Sequence, residues 1–280
     1  MKQIRYIVIA ALIVTGTAAC GSSSAMPAES TTSARIQSLQ PETAEAIPEA
    51  AASYPAESID PSAVSIPSSM ELNQVGNLKY YLYTPANPTE GMPLIIYLHG
   101  GTNKKEEASA LLTTDGFPEY LYEGYYGDLR AYVAIPKLDN RYKGWSDIYE
   151  QIRDMIKTIH TEDSIDMDKI ALTGHSLGGT GTYQLQVKLP GTFACIAPMS
   201  GSILNNRENI AALSKTKVWA FVGTADTIVD PDSSRTIIQA LKDNGADARI
   251  TELEGATHFD VPGIAYKDDE LIQWLVNCGN

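Results

Sequence analysis

A serine framed by glycines is the feature of this 280-residue chain best suited to covalent chemistry. The segment Gly174-His175-Ser176-Leu177-Gly178 follows an apolar run and opens a stretch with helical spacing. Glycines two residues on either side of a serine let a strand and a helix approach closely, and the sharp turn between them exposes the hydroxyl. The pattern predicts Ser176 as a nucleophile, the alternative being a structural glycine-rich turn.

A serine hydroxyl is a weak nucleophile until a base takes its proton, and the chain offers four histidines. His175 lies inside the turn and is expected to point away from Ser176, while His99 belongs to a glycine-rich loop. His160 ends an amphipathic helix, where a solvated or capping role is expected. His258 remains, in a loop between the last predicted strand and the last predicted helix. We expect it to be the base, the alternative being a surface histidine.

The base needs a carboxylate that holds its imidazole in the correct tautomer. Asp226 follows the predicted strand Val218 to Val222, and it is the acid that we expect. Asp230 is the rival, but it precedes a proline and suits the capping of the next helix. Asp260 is too close in sequence to the histidine to be favoured.

A second glycine-rich segment, His99-Gly100-Gly101-Thr102, follows the predicted strand Leu94 to Leu98. Backbone N–H groups at such a strand end can face a substrate carbonyl. The expected oxyanion hole combines the N–H of Leu177 with that of Gly101 or Thr102. The start of the helix after Ser176 adds partial positive charge at the same place.

The predicted connection from Thr102 to Arg130 is the longest in the domain, and its aromatic residues are Phe117, Tyr120, Tyr122, Tyr125 and Tyr126. These side chains either line an acyl or aryl pocket or cover the sheet. His175 and Trp145 are further candidates for the substrate pocket, although Trp145 alternatively covers the start of a helix. No connection between predicted strands is long enough for a cap domain.

Apolar runs alternate with stretches of helical spacing from about Leu72 onward, which is typical of a sheet with helices on its faces. The predicted strands are Lys79 to Tyr83, Leu94 to Leu98, Tyr132 to Ile135, Ile170 to Thr173, Cys195 to Pro198, Val218 to Val222 and Ala248 to Leu253. The predicted helices are Trp145 to His160, Ser176 to Leu189, Ser233 to Lys242 and Asp269 to Val276. We expect a single α/β domain with a mostly parallel central sheet, helices on both faces and no large cap.

The start of the chain has the pattern of an export signal, because Lys2 and Arg5 precede the apolar run Ile7 to Val14 and small residues follow. Cys20 then resembles the lipidated cysteine of bacterial lipoproteins, with Thr17 where leucine is usual. The resemblance implies an exported protein that a lipid on Cys20 holds at the bacterial cell surface. The alternatives are an ordinary cleaved signal and an uncleaved anchor.

These patterns divide the chain into three parts. We expect a signal peptide at residues 1–19, a flexible tether at residues 20–69 and a catalytic domain at residues 70–280. The tether segment is rich in Ser, Thr, Pro, Ala and Glu and lacks a hydrophobic period, so it cannot bury enough surface to offset its ordering entropy. Short ordered segments packed on the domain are the alternative.

The overall charge and the cysteine count exclude two classes of partner. The formal net charge of −13 gives the protein no basic field that would attract nucleic acid. The cysteines Cys20, Cys195 and Cys278 are too few for a disulfide framework and lack the paired spacing of a zinc site. We therefore expect no metal, and we expect Cys195 and Cys278 to be free.

Residues 72–278 resemble the α/β-hydrolase superfamily, in which the triad follows the order Ser, Asp, His. The resemblance is carried by Tyr97-Leu98-His99-Gly100-Gly101, Gly174-His175-Ser176-Leu177-Gly178-Gly179, Gly223-Thr224-Ala225-Asp226 and His258. It is closest in kind to small secreted esterases of the feruloyl and acetyl esterase, polyhydroxybutyrate depolymerase-like and dienelactone hydrolase-like branches.

The resemblance implies ester hydrolysis by a Ser176, Asp226, His258 triad without metal or organic cofactor. The resemblance does not imply a particular substrate, and we expect a small-molecule or polysaccharide-linked ester. A peptidase of the prolyl oligopeptidase type, acting on short peptides, is the second hypothesis. The third is a non-catalytic binding lipoprotein, which an intact set of triad residues disfavours.

Overall fold

The structure, a computed structural model, describes residues 69–114 and 116–279. The predicted signal peptide, the lipidated Cys20 and nearly all of the predicted tether lie outside the described residues, so they stay predictions. Among the described residues, no helix combines the length and the hydropathy that crossing a membrane requires.

One sheet of eight strands forms the centre of the described domain, with the strand order β1-β2-β4-β3-β5-β6-β7-β8. The strands are β1 (Met70–Val75), β2 (Leu78–Tyr83), β3 (Leu94–Leu98), β4 (Tyr132–Pro136), β5 (Ile170–His175), β6 (Cys195–Met199), β7 (Lys217–Gly223) and β8 (Ala248–Leu253). Strand β2 is antiparallel to β1 and β4, and all other neighbours are parallel. The predicted mostly parallel sheet is confirmed.

Helices cover both faces of the sheet, as predicted. They are α1 (Phe117–Tyr122), α2 (Tyr149–Asp163), α3 (Leu177–Lys188), α4 (Arg207–Leu213), α5 (Pro231–Asp243), α6 (Asp260–Ala265) and α7 (Asp269–Val276). Successive side chains of a strand point to opposite faces of the sheet, so the core has two halves. In β3, Ile96 packs with α2 to α5 on one face, whereas Ile95 and Tyr97 pack with α1, α6 and α7 on the other. Full burial of each large apolar side chain stabilises the fold by about 1.5–3 kcal/mol.

The predicted strands and helices are all present, with boundaries that differ by a few residues. The helix predicted from Trp145 begins as a 3-10 turn, Trp145–Ile148, before α2. Strand β1 and helices α1, α4 and α6 were not predicted. The three helices have only six or seven residues, which is fewer than two turns. Strand β1 lies at the edge of the sheet with only Met70 buried, so its sequence contains no buried apolar run.

The expectation that Cys195 and Cys278 are free is wrong. They form a disulfide with a Cα–Cα distance of 5.7 Å, which joins buried strand β6 to the segment after α7. The two positions are separated by 83 residues, and only the packing of α7 on the sheet brings them together. The bond closes a long loop, and such cross-links mainly restrict the unfolded chain.

Candidate active site

Ser176 occupies a strained turn between β5 and α3. Its φ of 58° and ψ of −117° lie in a region that L-residues rarely adopt, and its N–H donates to the carbonyl of Met199 at 2.9 Å. A Cβ on Gly174 would lie 2.5 Å from the carbonyl oxygen of Leu98, and one on Gly178 would overlap the same oxygen. Only glycines allow this approach of strand and helix, so the predicted reason for the motif is confirmed.

His258 lies in the loop between β8 and α6 and contacts Ser176 directly. Its Nε2 is 2.8 Å from Ser176 Oγ, and its Nδ1 is 2.8 Å from Asp226 Oδ2. Because the carboxylate accepts, the imidazole carries its proton on Nδ1, and Nε2 accepts from the serine hydroxyl. The side chains of His258 and Asp226 are almost fully buried. The structure thus brings together the three residues that were chosen from the sequence.

Asp226 remains a carboxylate in this buried position. Burial raises its pKa, but hydrogen bonds from Val229 N–H, His258 and Ile228 N–H, with a contribution from the Ser200 hydroxyl, more than offset that effect. The two N–H groups donate to Oδ1 at 2.9 Å each. The net result is a pKa below the usual range, which keeps the negative charge beside the imidazole.

The two rival aspartates serve local backbone structure. Asp230 caps α5 by accepting from the N–H of Asp232 at 3.0 Å. Asp260 accepts from the hydroxyl and the N–H of Thr257 at 2.6 and 2.8 Å, and these bonds lower its pKa. Neither is the partner of His258 Nδ1.

The segments that carry the predicted oxyanion-hole donors lie next to each other beside Ser176. Leu177 is the first residue of α3, so its N–H has no partner within the helix. The Cβ position of Gly101 is 3.9 Å from Leu177 Cβ, which places the two backbones side by side. Thr102 is exposed and begins a 3-10 turn, Thr102–Lys105, in which Asn103 is buried.

Lys137 supports this turn and was missed in the sequence. Its Nζ donates to the carbonyls of Asn103 and Lys104 at 2.6 and 3.0 Å, and burial lowers its pKa. A second hydrogen bond joins the same two segments, because His99 Nε2 accepts from Leu138 N–H at 3.0 Å. A single lysine after a strand carries no recognisable motif, so no sequence signal pointed to this role.

Trp145 and His175 do not line an open pocket, contrary to the expectation. Trp145 is fully buried and donates its indole N–H to the carbonyl of His99 at 3.2 Å. His175 is also buried, and its Nε2 is 2.9 Å from the carbonyl oxygen of His258. Both side chains are therefore part of the framework under the site.

The aromatic residues of the connection between Thr102 and Arg130 mainly cover the sheet. Of the two alternatives, a pocket lining or a cover for the sheet, the structure shows the second. Phe117 packs against Tyr97, Tyr126 and Tyr266 with ring centroids 5.1–6.0 Å apart. Tyr120 and Tyr122 also pack on this core, and Tyr125 is exposed.

A cleft of about 640 Å³ opens along α3, and Thr180, one turn after Ser176, belongs to its wall. It is lined by Ser146, Thr180, Gln184, Val187, Lys188, Ser202, Ile203, Leu204, Glu208, Asn209 and Ser233. Most of these side chains are polar and uncharged. Across residues 69–114 and 116–279, no group of three His, Cys, Asp or Glu side chains is arranged to hold a metal ion.

Several solved structures share this architecture. A thermostable esterase superposes with a TM-score of 0.65 at 22% identity over 74% of this chain, and the chain spans 62% of that protein. The feruloyl esterase module from Clostridium thermocellum gives 0.57 at 16% identity, covering 75% of this chain and 86% of that one. Esterase 2 from Thermogutta terrifontis, phosphorylated by paraoxon, gives 0.55 at 18% identity, covering 74% and 91%.

No curated protein sequence matches the chain. The model of the dienelactone hydrolase family matches residues 78–266, a range that includes Ser176, Asp226 and His258. With the α/β-hydrolase architecture described above, this match shows that the chain is a hydrolase and belongs to the dienelactone hydrolase family.

Proposed function

We propose that the protein is a serine esterase that cleaves carboxylic esters through an acyl-enzyme on Ser176. The observation that carries the proposal is the continuous hydrogen-bonded series from Ser176 Oγ through His258 to Asp226, with both distances at 2.8 Å. A nucleophile, a base and an orienting acid within hydrogen-bond reach are what nucleophilic catalysis requires.

Acylation begins when Ser176 Oγ attacks the ester carbonyl carbon and its proton passes to His258 Nε2. The N–H of Leu177 and that of Gly101 or Thr102 stabilise the oxyanion, and loss of one such donor typically costs about 2.7–4 kcal/mol in the transition state. Ionised Asp226 stabilises the imidazolium. The imidazolium then gives its proton to the leaving alcohol oxygen, which breaks the ester bond.

Deacylation repeats these steps with water as the nucleophile. His258 removes a proton from the water as its oxygen attacks the acyl carbon, and the imidazolium returns a proton to Ser176 Oγ. The acid leaves, and the serine is restored. Water thus supplies the proton that replaces the one carried away by the alcohol, and no electron is transferred in this scheme.

The test uses the full chain with p-nitrophenyl acetate and butyrate, beside the Ser176→Ala variant and a fluorophosphonate label. We expect turnover and labelling in the wild type and neither in Ser176→Ala. Ser214→Ala is the matched control, because its hydroxyl donates to the carbonyl of Ile210 at the end of α4. A folded wild-type chain that neither labels nor turns over esters would overturn the proposal, and faster cleavage of peptide p-nitroanilides would favour a peptidase.

A further inference from the structure

Exposed apolar side chains follow the carboxyl ends of three neighbouring strands, β6, β7 and β8, and the loops after β7 and β8 carry Asp226 and His258. Among the described residues, the three most exposed large hydrophobic side chains are Leu204, Phe259 and Ile228, at 77%, 67% and 58%. They follow the carboxyl ends of β6, β8 and β7, respectively. Single exposed apolar residues are ordinary, but a group of them at one edge marks a surface that contacts something.

Two of these residues are fixed by the triad itself. Phe259 follows His258 directly, and the two rings meet edge to face with centroids 5.4 Å apart. Ile228 donates its N–H to Asp226 at 2.9 Å. Since Asp226 and His258 are bonded to each other, Phe259 and Ile228 flank the base rather than the oxyanion donors.

The chemistry of the leaving group shows which part of an ester meets this apolar edge. The imidazolium must come within about 3 Å of the leaving alcohol oxygen to protonate it. The alcohol part of the ester therefore lies over His258, next to Phe259. The acyl carbonyl points instead toward Leu177 and Gly101.

We propose that Phe259 and Ile228 form the subsite for the alcohol part of the ester, and that this alcohol is apolar, an alkyl or aryl group. This inference rests on the proposed esterase function. Phe259 supplies most of the apolar surface and determines specificity, because an alcohol of several carbons can bury against its ring while methanol is too small to reach it.

The test varies the alcohol while the acyl group stays constant. Phe259→Ala should lower kcat/KM for hexyl and benzyl acetate about 10-fold or more, the usual effect of a lost hydrophobic contact in a binding pocket. The value for methyl acetate should change less than about 2-fold, and Phe259→Leu should fall between the two enzymes. Deacylation, which has lost the alcohol, should keep its rate in the variant.

Leu72→Ala is the matched control, since Leu72 is half exposed on edge strand β1. An equal loss on methyl, hexyl and benzyl acetate, or a loss that follows the acyl chain instead, would overturn the subsite. If the wild type cleaves none of the esters and takes no fluorophosphonate label, the esterase proposal itself fails. The two failures are thus distinguishable.

His175, the residue before the nucleophile, contacts the loop that carries the base. Its Nε2 lies 2.9 Å from the carbonyl oxygen of His258, and the two imidazole centroids are 4.7 Å apart. A carbonyl can only accept, so His175 Nε2 carries a proton and donates. The bond joins the turn that carries Ser176 to the loop that carries His258.

We infer that His175 is a positioning residue that fixes the position of the His258 imidazole relative to Ser176 Oγ. In His175→Leu this bond is lost, and we expect kcat to fall about 10-fold or more with KM little changed, as for a misplaced catalytic group. His175→Gln keeps an N–H donor at a similar distance and should recover most of the rate.

Active-site titration with a fluorophosphonate counts the folded, competent molecules, so that kcat is expressed per active site. A merely structural role for His175 would lower the thermal midpoint and the active fraction while leaving kcat per site unchanged in both variants. That outcome, or a failure of Gln to exceed Leu, would overturn the inference.

Discussion

Around Ser176, close backbone contacts hold the turn at both of its flanking glycines, whereas the loop around His258 has close backbone contact at Ala256 but is exposed to solvent at Phe259. Gly174 and Gly178 pack against the carbonyl of Leu98 with no room for a Cβ. In the loop after β8, the carbonyl of Ala256 accepts a hydrogen bond from Ala225 N–H, and the carbonyl of His258 accepts one from His175 Nε2.

The difference has a physical consequence. Close packing of backbones leaves the nucleophile one position, because interiors are as dense as organic crystals and tolerate no added atom. Hydrogen bonds to a loop fix the main chain but leave side chains such as Phe259 facing solvent. We therefore expect the turn at Ser176 to tolerate no change and the loop at His258 to accept changes that alter specificity.

The largest effect after loss of the nucleophile is expected for Asp226→Asn. An amide donor in place of the carboxylate favours the wrong imidazole tautomer, and kcat should fall about 10⁴-fold. Steady-state kinetics on p-nitrophenyl butyrate measure the loss. The matched control is Asp230→Asn, which keeps the cap of α5 and should retain the wild-type rate, and equal losses in the two variants would contradict the assignment of the acid.

Acid titration gives a second measurement on Asp226. Its pKa is lowered in the folded state, so its ionisation stabilises the fold above the ordinary carboxyl pKa of about 4, and this stabilisation is lost as the pH falls through the lower folded pKa. The free energies of unfolding of wild type and Asp226→Asn should therefore converge as the pH drops below about 4. A constant difference from neutral to acid pH would contradict the lowered pKa.

Gly178→Ala tests whether close backbone contact fixes the turn at Ser176. Its Cβ would overlap the Leu98 carbonyl oxygen, and we expect the free energy of unfolding to fall by about 3 kcal/mol or more, the upper range for overpacking. Urea denaturation measures the change. Gly263→Ala in α6 is the control, because its Cβ would meet only the Tyr120 hydroxyl at 3.6 Å. Similar stability of the two variants would show that the turn at Ser176 is not sterically fixed.

The disulfide begins at the first residue of β6, whereas the triad follows the carboxyl ends of the parallel strands β5, β7 and β8, so its removal should leave the site intact. In the Cys195→Ala, Cys278→Ala double variant we expect a loss of about 2–4 kcal/mol in stability with kcat unchanged. Denaturation of the oxidised and the reduced wild type provides the control for the cavity that Ala leaves. Equal stability of oxidised and reduced protein would contradict a stabilising bond.

The smallest effect is expected for Asp230→Ala. Loss of its bond to Asp232 N–H at 3.0 Å removes the cap of α5, which should cost about 1 kcal/mol of stability. Activity should stay at the wild-type level, because Asp230 does not contact His258. A fall in kcat comparable with that of Asp226→Asn would show that the loop after β7 acts as one unit.

Regular elements were predictable where a local pattern extends over enough residues. Strands β3 and β8 have the predicted ends, and α3 and α5 differ from prediction by one or two residues at each end. Helices α1, α4 and α6 escaped prediction because six or seven residues give fewer than two turns. The chemistry of Ser176 was recognisable for a related reason, since all the residues that shape its turn are neighbours in the sequence.

The sequence by itself determined the identity of the reactive groups: a serine in a glycine-framed turn, an imidazole after the last strand and a carboxylate after β7. Tertiary structure decided what no local pattern contains. It paired Cys195 with Cys278, buried Trp145 and His175 as framework, joined Lys137 to the turn after Gly101, and left Phe259 exposed beside the base. The physical reason is that each of these depends on contacts between residues far apart in the chain, and such contacts exist only once the strands have assembled in the order of the sheet.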